Sequence, residues 1–183
     1  GGYVVVWDDS YANGQTDLKG RVYDADGNAI GSEFTIPVDS SQVENSAELT
    51  ALEDGGFAVA WRRSSQTDGS GLYSRTFDAD GNPTSGAVQL YFNADSVSAP
   101  SRLNLTDIGG GDYLVSYYSN DNAVINRVSA SGSVSHFDNF PNVQNPAITA
   151  LDNGNIAVAG YESYGPGSNR QYRINVGILD GDT

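Results

Sequence analysis

Two five-residue runs, Asp24-Ala25-Asp26-Gly27-Asn28 and Asp78-Ala79-Asp80-Gly81-Asn82, set oxygen-bearing side chains at alternate positions around a glycine. A hard cation such as calcium takes six to eight oxygens at ~2.3–2.6 Å, and calcium loops use this kind of alternation. The metal reading makes Asp24, Asp26, Asn28, Asp78, Asp80 and Asn82 candidate ligands, with calcium the one cofactor the sequence suggests. A second reading makes each run a hairpin whose Asp side chain accepts the turn's own N–H groups while glycine supplies a positive φ. Thr35 and Gln89 stand where an EF-type loop would carry its bidentate acid, and the glycine falls at the fourth loop position instead of the sixth. That departure gives the hairpin reading more weight.

Other constellations are thinner. His136 is the sole histidine and cysteine is absent, so the usual nitrogen and sulfur ligands of a zinc site cannot be assembled. A Ser-His-Asp arrangement would have to use His136, beside Phe137 and Asp138, and no nucleophile-elbow sequence accompanies it. With Asp+Glu 23, some pair of acids will lie at a spacing suited to sugar hydrolysis by chance, so abundance names none of them. No catalytic residue is assigned. Candidate ligand residues are Asp8, Asp9, Tyr11 and Asn13, and Arg62, Arg63 and Gln66, which differ between otherwise matching segments and so read as loops. Loops on a rigid frame are where binding groups concentrate.

The frame is an internal repeat. Gly1-Gly2-Tyr3-Val4-Val5-Val6-Trp7 recurs as Gly55-Gly56-Phe57-Ala58-Val59-Ala60-Trp61, Gly111-Asp112-Tyr113-Leu114-Val115-Ser116-Tyr117 and Gly154-Asn155-Ile156-Ala157-Val158-Ala159-Gly160. Three copies are preceded by a matching strand, Leu49–Leu52, Leu105–Ile108 and Ile148–Leu151, and by Asp54-Gly55, Gly109-Gly110 or Asn153-Gly154, dipeptides that close tight hairpins. A third strand leads into the Asp-Ala-Asp-Gly turn, and a shorter fourth follows it, with Pro37 suited to an edge. Antiparallel units of about 40 to 55 residues with four strands each match the blade of a propeller. The expected fold is all-β: a β-propeller-like array of about four blades whose terminal blades are incomplete, with a β-sandwich as the alternative. The expected domain is residues 1–183, in units of about 1–45, 46–100, 101–144 and 145–183.

The Tyr3-to-Trp7 strand, apolar at every position, is expected to be covered on both faces. Trp7 and Trp61, with Tyr117 and Tyr161 at or near the corresponding places, are expected to seal contacts between blades more than to stack sugars. Arg21, Arg75 and Arg127 recur ahead of the turn and are expected to pair with acids on neighbouring strands.

Lys+Arg 9 against Asp+Glu 23 gives a net charge of −14, which disfavours nucleic acid and acidic membrane surfaces and suits solubility or cation binding. No stretch approaches the ~20 apolar residues of a spanning helix. The chain contains no methionine and opens inside a motif, so it reads as a segment of a longer protein.

The strings GGYVVVW, RVYDADGNAIGSEF and ALEDGGFAVAW resemble the tandem repeats of very large secreted bacterial proteins of the RTX and adhesin type, closely over residues 1–92 and loosely over 101–183. The resemblance implies a propeller-like fold, type I export and a calcium-rich extracellular or cell-surface setting. The glycine-rich calcium nonapeptide is absent. On this basis the expected function is a non-catalytic structural or adhesive module, stiffened by calcium. Its expected partners are flanking repeats of the same protein, another copy of the chain, or extracellular glycans. Two alternatives are a carbohydrate-binding propeller lectin and the propeller of a secreted hydrolase or lyase.

Overall fold

The computed structural model describes residues 1–12, 14–37, 42–65, 69–94, 100–164 and 171–181. They form two compact units, Gly1–Ala99 and Pro100–Thr183. Unit 1 holds β1 (Tyr3–Ser10), β2 (Thr16–Tyr23) and β3 (Ala29–Thr35) in one sheet, and β4 (Val43–Ala51), β5 (Phe57–Ser64), β6 (Ser70–Phe77) and β7 (Val88–Asn93) in another. Unit 2 holds β8 (Ser101–Gly109), β9 (Asp112–Ser119), β10 (Asn122–Val128) and β11 (Val134–Pro141), then β12 (Val143–Ala150), β13 (Ile156–Tyr164) and β14 (Gln171–Leu179).

Each sheet is an antiparallel meander of consecutive strands, with three, four, four and three strands in chain order. The separate sheets are the blades of an all-β propeller, the first and last with three strands each among the described residues. Pro37 follows β3 instead of lying in it.

The hairpins form where the dipeptides placed them. Gly55, Gly109, Gly110 and Gly154 all have φ between 65° and 89°, and Leu52 N–H donates to the Gly56 carbonyl at 2.9 Å across the tight turn. The second glycine of the pair has a different task. A Cβ at Gly2 would strike the carbonyl of Tyr23, and one at Gly56 the carbonyl of Phe77, so these positions permit a close backbone approach.

One repeated device is written in no shared residue type. The first strands of the second, third and fourth sheets each carry a bulge, and Ser46, Arg102 and Asn145 sit there with φ of 57°, 63° and 48°. All three lie five positions before the residue paired across the hairpin.

The core of unit 1 gathers Leu18 and Val22 of β2, Ile36, Phe57, Val59 and Trp61 of β5, and Phe77 of β6. Phe34, Phe57 and Phe77 pack at centroid distances of 5.1 to 6.2 Å, and Gly20 and Gly81 leave the room that the Phe34 ring occupies. In unit 2, Leu114 and Ile125 pack against Ile148, Ile156 and Val158. Trp61 and Tyr117 are buried, in line with their expected sealing role, while Trp7 and Tyr161 are half-buried. β5 is buried on both faces, but β1 is not: Tyr3 and Val5 are exposed, which departs from the expectation for that strand.

Candidate functional site

The two Asp-Ala-Asp-Gly-Asn turns fold alike. Asp24 Oδ1 accepts from the N–H groups of Asp26 (2.9 Å) and Asn28 (2.8 Å), and Oδ2 accepts from Asn28 Nδ2 (2.9 Å). Asp78 repeats the pattern with Asp80 N–H (3.0 Å), Asn82 N–H (2.8 Å) and Asn82 Nδ2 (3.0 Å). Bonds from the Asn28 side chain, then from its backbone N–H, hold the Asp24 carboxyl below the usual carboxylate range, and Asn82 does the same for Asp78. Each turn spends its first carboxylate on its own donors. Among the described residues, no group of three or more His, Cys, Asp or Glu is gathered that could hold a metal ion.

These bonds make a pH prediction. A carboxyl whose folded pKa lies below its unfolded value of about 3.9 stabilises the fold above that pH, and the contribution is lost as pH falls through the folded value. Asp78→Ala is therefore expected to lower the melting temperature of unit 1 near neutral pH, with the gap to the unsubstituted protein closing below about pH 4. Melting curves at stepped pH, followed by tryptophan emission, measure it. Both tryptophans, Trp7 and Trp61, lie in unit 1, so the signal reports that unit alone.

The packing of unit 1 brings members of both turns to one groove of about 670 Å³. Asp24 and Ala25 line it from the first turn and Asp80 and Ala79 from the second, with Val4, Val22, Leu49 and Phe57 supplying apolar wall. This size suits a small-molecule site, and an apolar wall with a few polar groups is the usual composition of one. The Asp80 carboxyl makes no hydrogen bond among the described residues, although its backbone N–H serves Asp78. The lining thus includes two acids in different states: Asp24, whose carboxylate its own turn holds ionised, and Asp80, whose carboxyl makes no hydrogen bond among the described residues. Asp26, Asn28, Asp78 and Asn82 do not line it.

The residues read as ligand loops are placed differently. Asp8 and Asp9 lie within β1, paired with Leu18 and Asp17, and Arg62 and Arg63 lie within β5, paired with Leu72 and Gly71. The loop expectation is corrected for these four: the hairpin ladder runs on through polar residues, because backbone pairing needs no apolar side chain. Arg63 stacks its guanidinium 4.6 Å from the Tyr73 ring centre. Tyr11 does sit in a turn, and Asn13 and Gln66 lie outside the described residues.

Sequence reasoning did not name Asp17, which is buried beside this turn. Tyr11 Oη stands 3.2 Å from both Asp9 Oδ2 and Asp17 Oδ2 as donor. Partial desolvation, then the bond to Asp9 and its charge, push the Tyr11 phenol up to about 12, with Asp17 adding to the effect. The phenol stays protonated and bridges two strands. The signal for Asp17 was the Asn-Gly dipeptide in the sequence, which predicts a hairpin, and the ladder of β1 and β2 pairs Asp9 with Asp17.

Of the recurring arginines, Arg127 pairs with Asp112 on the neighbouring strand at 2.8 Å. Arg21 donates to the Gly31 carbonyl, and Arg75 to those of Ser85 and Ile36. The difference is one of register: Arg127 stands one residue before the hairpin partner of β9, whereas Arg21 and Arg75 stand two before theirs.

No protein-family model matches the chain, and no curated protein does. Among solved structures it is similar to a thermostable family-43 glycoside hydrolase, at 12% identity and a TM-score of 0.60, covering 98% of this chain and 69% of that one. It is also similar to an endo-arabinase from Bacteroides thetaiotaomicron, at 12% identity and a TM-score of 0.54, covering 98% and 71%. A protein of unknown function from Dyadobacter fermentans matches at 16% identity and a TM-score of 0.54, with 98% of this chain and 50% of that one covered. The expectation of a non-catalytic structural or adhesive module is corrected by these likenesses. Two of these three neighbours are sugar-hydrolysing enzymes by description, and at 12% identity the likeness shows a shared fold.

Proposed function

We propose that the chain is the propeller portion of a glycoside-hydrolysing protein, and that the groove of unit 1 is where a saccharide binds. The carrying observation is the meeting of Asp24 and Asp80, which are 56 positions apart in sequence (80 − 24), in one apolar-walled groove of about 670 Å³.

Hydrolysis of a glycosidic bond needs two carboxyl groups flanking it, one protonating the leaving oxygen and the other acting as an anion on the opposite side of the sugar ring. Asp24, held ionised by Asn28, suits the anionic role. Asp80, with its carboxyl uncommitted, is the second carboxyl of the pair, and it takes the proton-donor role where a bound saccharide covers it and excludes water, since desolvation favours the protonated acid. Tyr3, Ile30 and Leu49, which line the groove and are exposed, offer apolar surface to the C–H faces of a sugar.

Arabinan-derived oligosaccharides are the first substrates to try, on the strength of the likeness to an endo-arabinase. Incubating the chain with a panel of arabino-, xylo- and gluco-oligosaccharides and measuring released reducing ends tests the proposal. Turnover of at least one member is expected. Absence of turnover across the panel, with no saccharide binding by calorimetry, would overturn it.

A further inference from the structure

The two Asp-Ala-Asp-Gly-Asn turns share their internal bonds, yet their third residues are placed differently. Asp80 lines the groove and its counterpart Asp26 does not. The bonds within each turn fix its shape, so a difference in placement has to come from what each turn leans on. The glycines that follow the two acids show it. Gly27 is exposed, and a Cβ there would meet Tyr3 Oη alone among the described residues, at 3.6 Å. Gly81 is buried, and a Cβ there would lie 2.6 Å from Cε1 of Phe34, inside the contact distance of the ring.

Phe34 comes from the other sheet of unit 1. It sits in β3 opposite Gly20 of β2, and a Cβ at Gly20 would lie 2.6 Å from its Cζ. A bare strand position and a bare turn position thus hold the ring between them. From Gly20, β2 runs on to Tyr23 and then into Asp24. The ring also packs 5.4 Å from that of Phe77, which precedes Asp78, and 6.2 Å from that of Phe57 in the groove wall. One side chain therefore touches both the strand that leads into Asp24 and the turn that carries Asp80. Protein interiors are close-packed, so a change in the size or position of this ring is passed on as a shift of its neighbours.

We propose that Phe34 is a positioning residue of the groove, a strut that sets how far Asp80 stands from Asp24. Its effect on rate rests on the saccharide-hydrolysing reading, and its effect on geometry rests on packing alone. Phe34 does not line the groove, so it acts through Asp80 and not on a bound sugar. Separation is what such a pair depends on: the two carboxyls stand ~5–5.5 Å apart where one attacks the sugar, and ~6.5–9.5 Å apart where a water fits between. A misplacement of about 1 Å costs about 10²-fold in rate.

Crystal structures and kinetics of three variants test it. Phe34→Leu keeps an apolar side chain and shortens the strut, while Gly20→Ala pushes the ring from behind. Val59→Ala is the control, since Val59 is buried in the same core and is not part of the groove lining. Far-UV circular dichroism and melting curves check that each variant is folded. Phe34→Leu and Gly20→Ala are each expected to change the Asp24-to-Asp80 carboxyl separation by about 1 Å and to lower kcat by about 10- to 100-fold, with KM within about threefold. Val59→Ala should lose stability and keep both the separation and kcat. A ring that only fills the core would make Phe34→Leu behave like Val59→Ala, with stability lost and Asp80 unmoved, and that result overturns the inference. So does an unchanged kcat in an active variant whose Asp80 has moved. The carboxyl separation is read without turnover, which keeps the two readings apart. A displaced Asp80 in a chain that hydrolyses no oligosaccharide would uphold the strut and overturn the hydrolytic reading, and an unmoved Asp80 in an active chain would do the reverse.

Discussion

Asp80→Asn is expected to lower kcat/KM for the hydrolysed oligosaccharide by about 10²- to 10⁴-fold, the range that a positioned general acid contributes. Asp80 lines the groove and its carboxyl makes no hydrogen bond among the described residues, so its replacement by the isosteric amide removes one carboxyl of the proposed pair and leaves the turn intact. What the turn needs from this residue is its backbone N–H to Asp78, which asparagine keeps. Two companions separate chemistry from folding. Asp24→Asn should also reduce the rate, because an amide cannot carry the negative charge that Asn28 holds in place on Asp24. Asp26→Asn, at an exposed position of the same turn and outside the groove, should leave kcat/KM within about twofold of the unsubstituted protein, as it touches no part of the site. Equal losses in all three would mean that the rate reports turn stability and not the groove.

Trp61→Ala is expected to destabilise unit 1 by about 3–5 kcal/mol, measured as the denaturation midpoint followed by the emission of Trp7. Trp61 is among the largest fully buried side chains and packs with Leu18, Val22, Phe57 and Phe77. Its ring lies 6.2 Å from that of Tyr73. Truncation leaves a cavity between two sheets that a β ladder cannot close by sliding, since register is fixed on both sides. Trp61→Phe should cost far less. The indole Nε1 is buried without a hydrogen-bond partner among the described residues, and phenylalanine removes that orphan donor along with some of the volume. A similar loss in both variants would show that ring size alone governs the site.

Much of the architecture could be read from the chain because its signals are local. A glycine pair before an apolar run states a turn and a strand together, and Gly55, Gly109, Gly110 and Gly154 take the positive φ that those positions require. The count of strands per sheet followed from where the motifs begin and end. What the residues could not tell depends on packing between sheets. The Tyr3-to-Trp7 run is as apolar as its copy in β5, yet only the latter is covered on both faces, and nothing within either run distinguishes them. The bulges at Ser46, Arg102 and Asn145 share a backbone conformation and no residue type, so no motif announces them.

The candidate site was legible in part. Asp24 and Asp80 were named as metal ligands of two separate turns, and the geometry sets both in the lining of one groove, which the spacing within a single turn cannot reveal. Asp8, Asp9, Arg62 and Arg63 looked like loop residues because they differ between copies. Their backbones continue the ladder all the same, since pairing depends on the partner strand and not on side-chain polarity.

The groove reading is tested most directly by a crystal structure of the Asp80→Asn protein soaked with an arabino-oligosaccharide. The account predicts a sugar lying along Tyr3, Ile30 and Leu49 with its glycosidic oxygen between Asp24 and position 80. A sugar bound elsewhere on the molecule, beside Asp9 and Asp17 for example, with the groove empty, would contradict it.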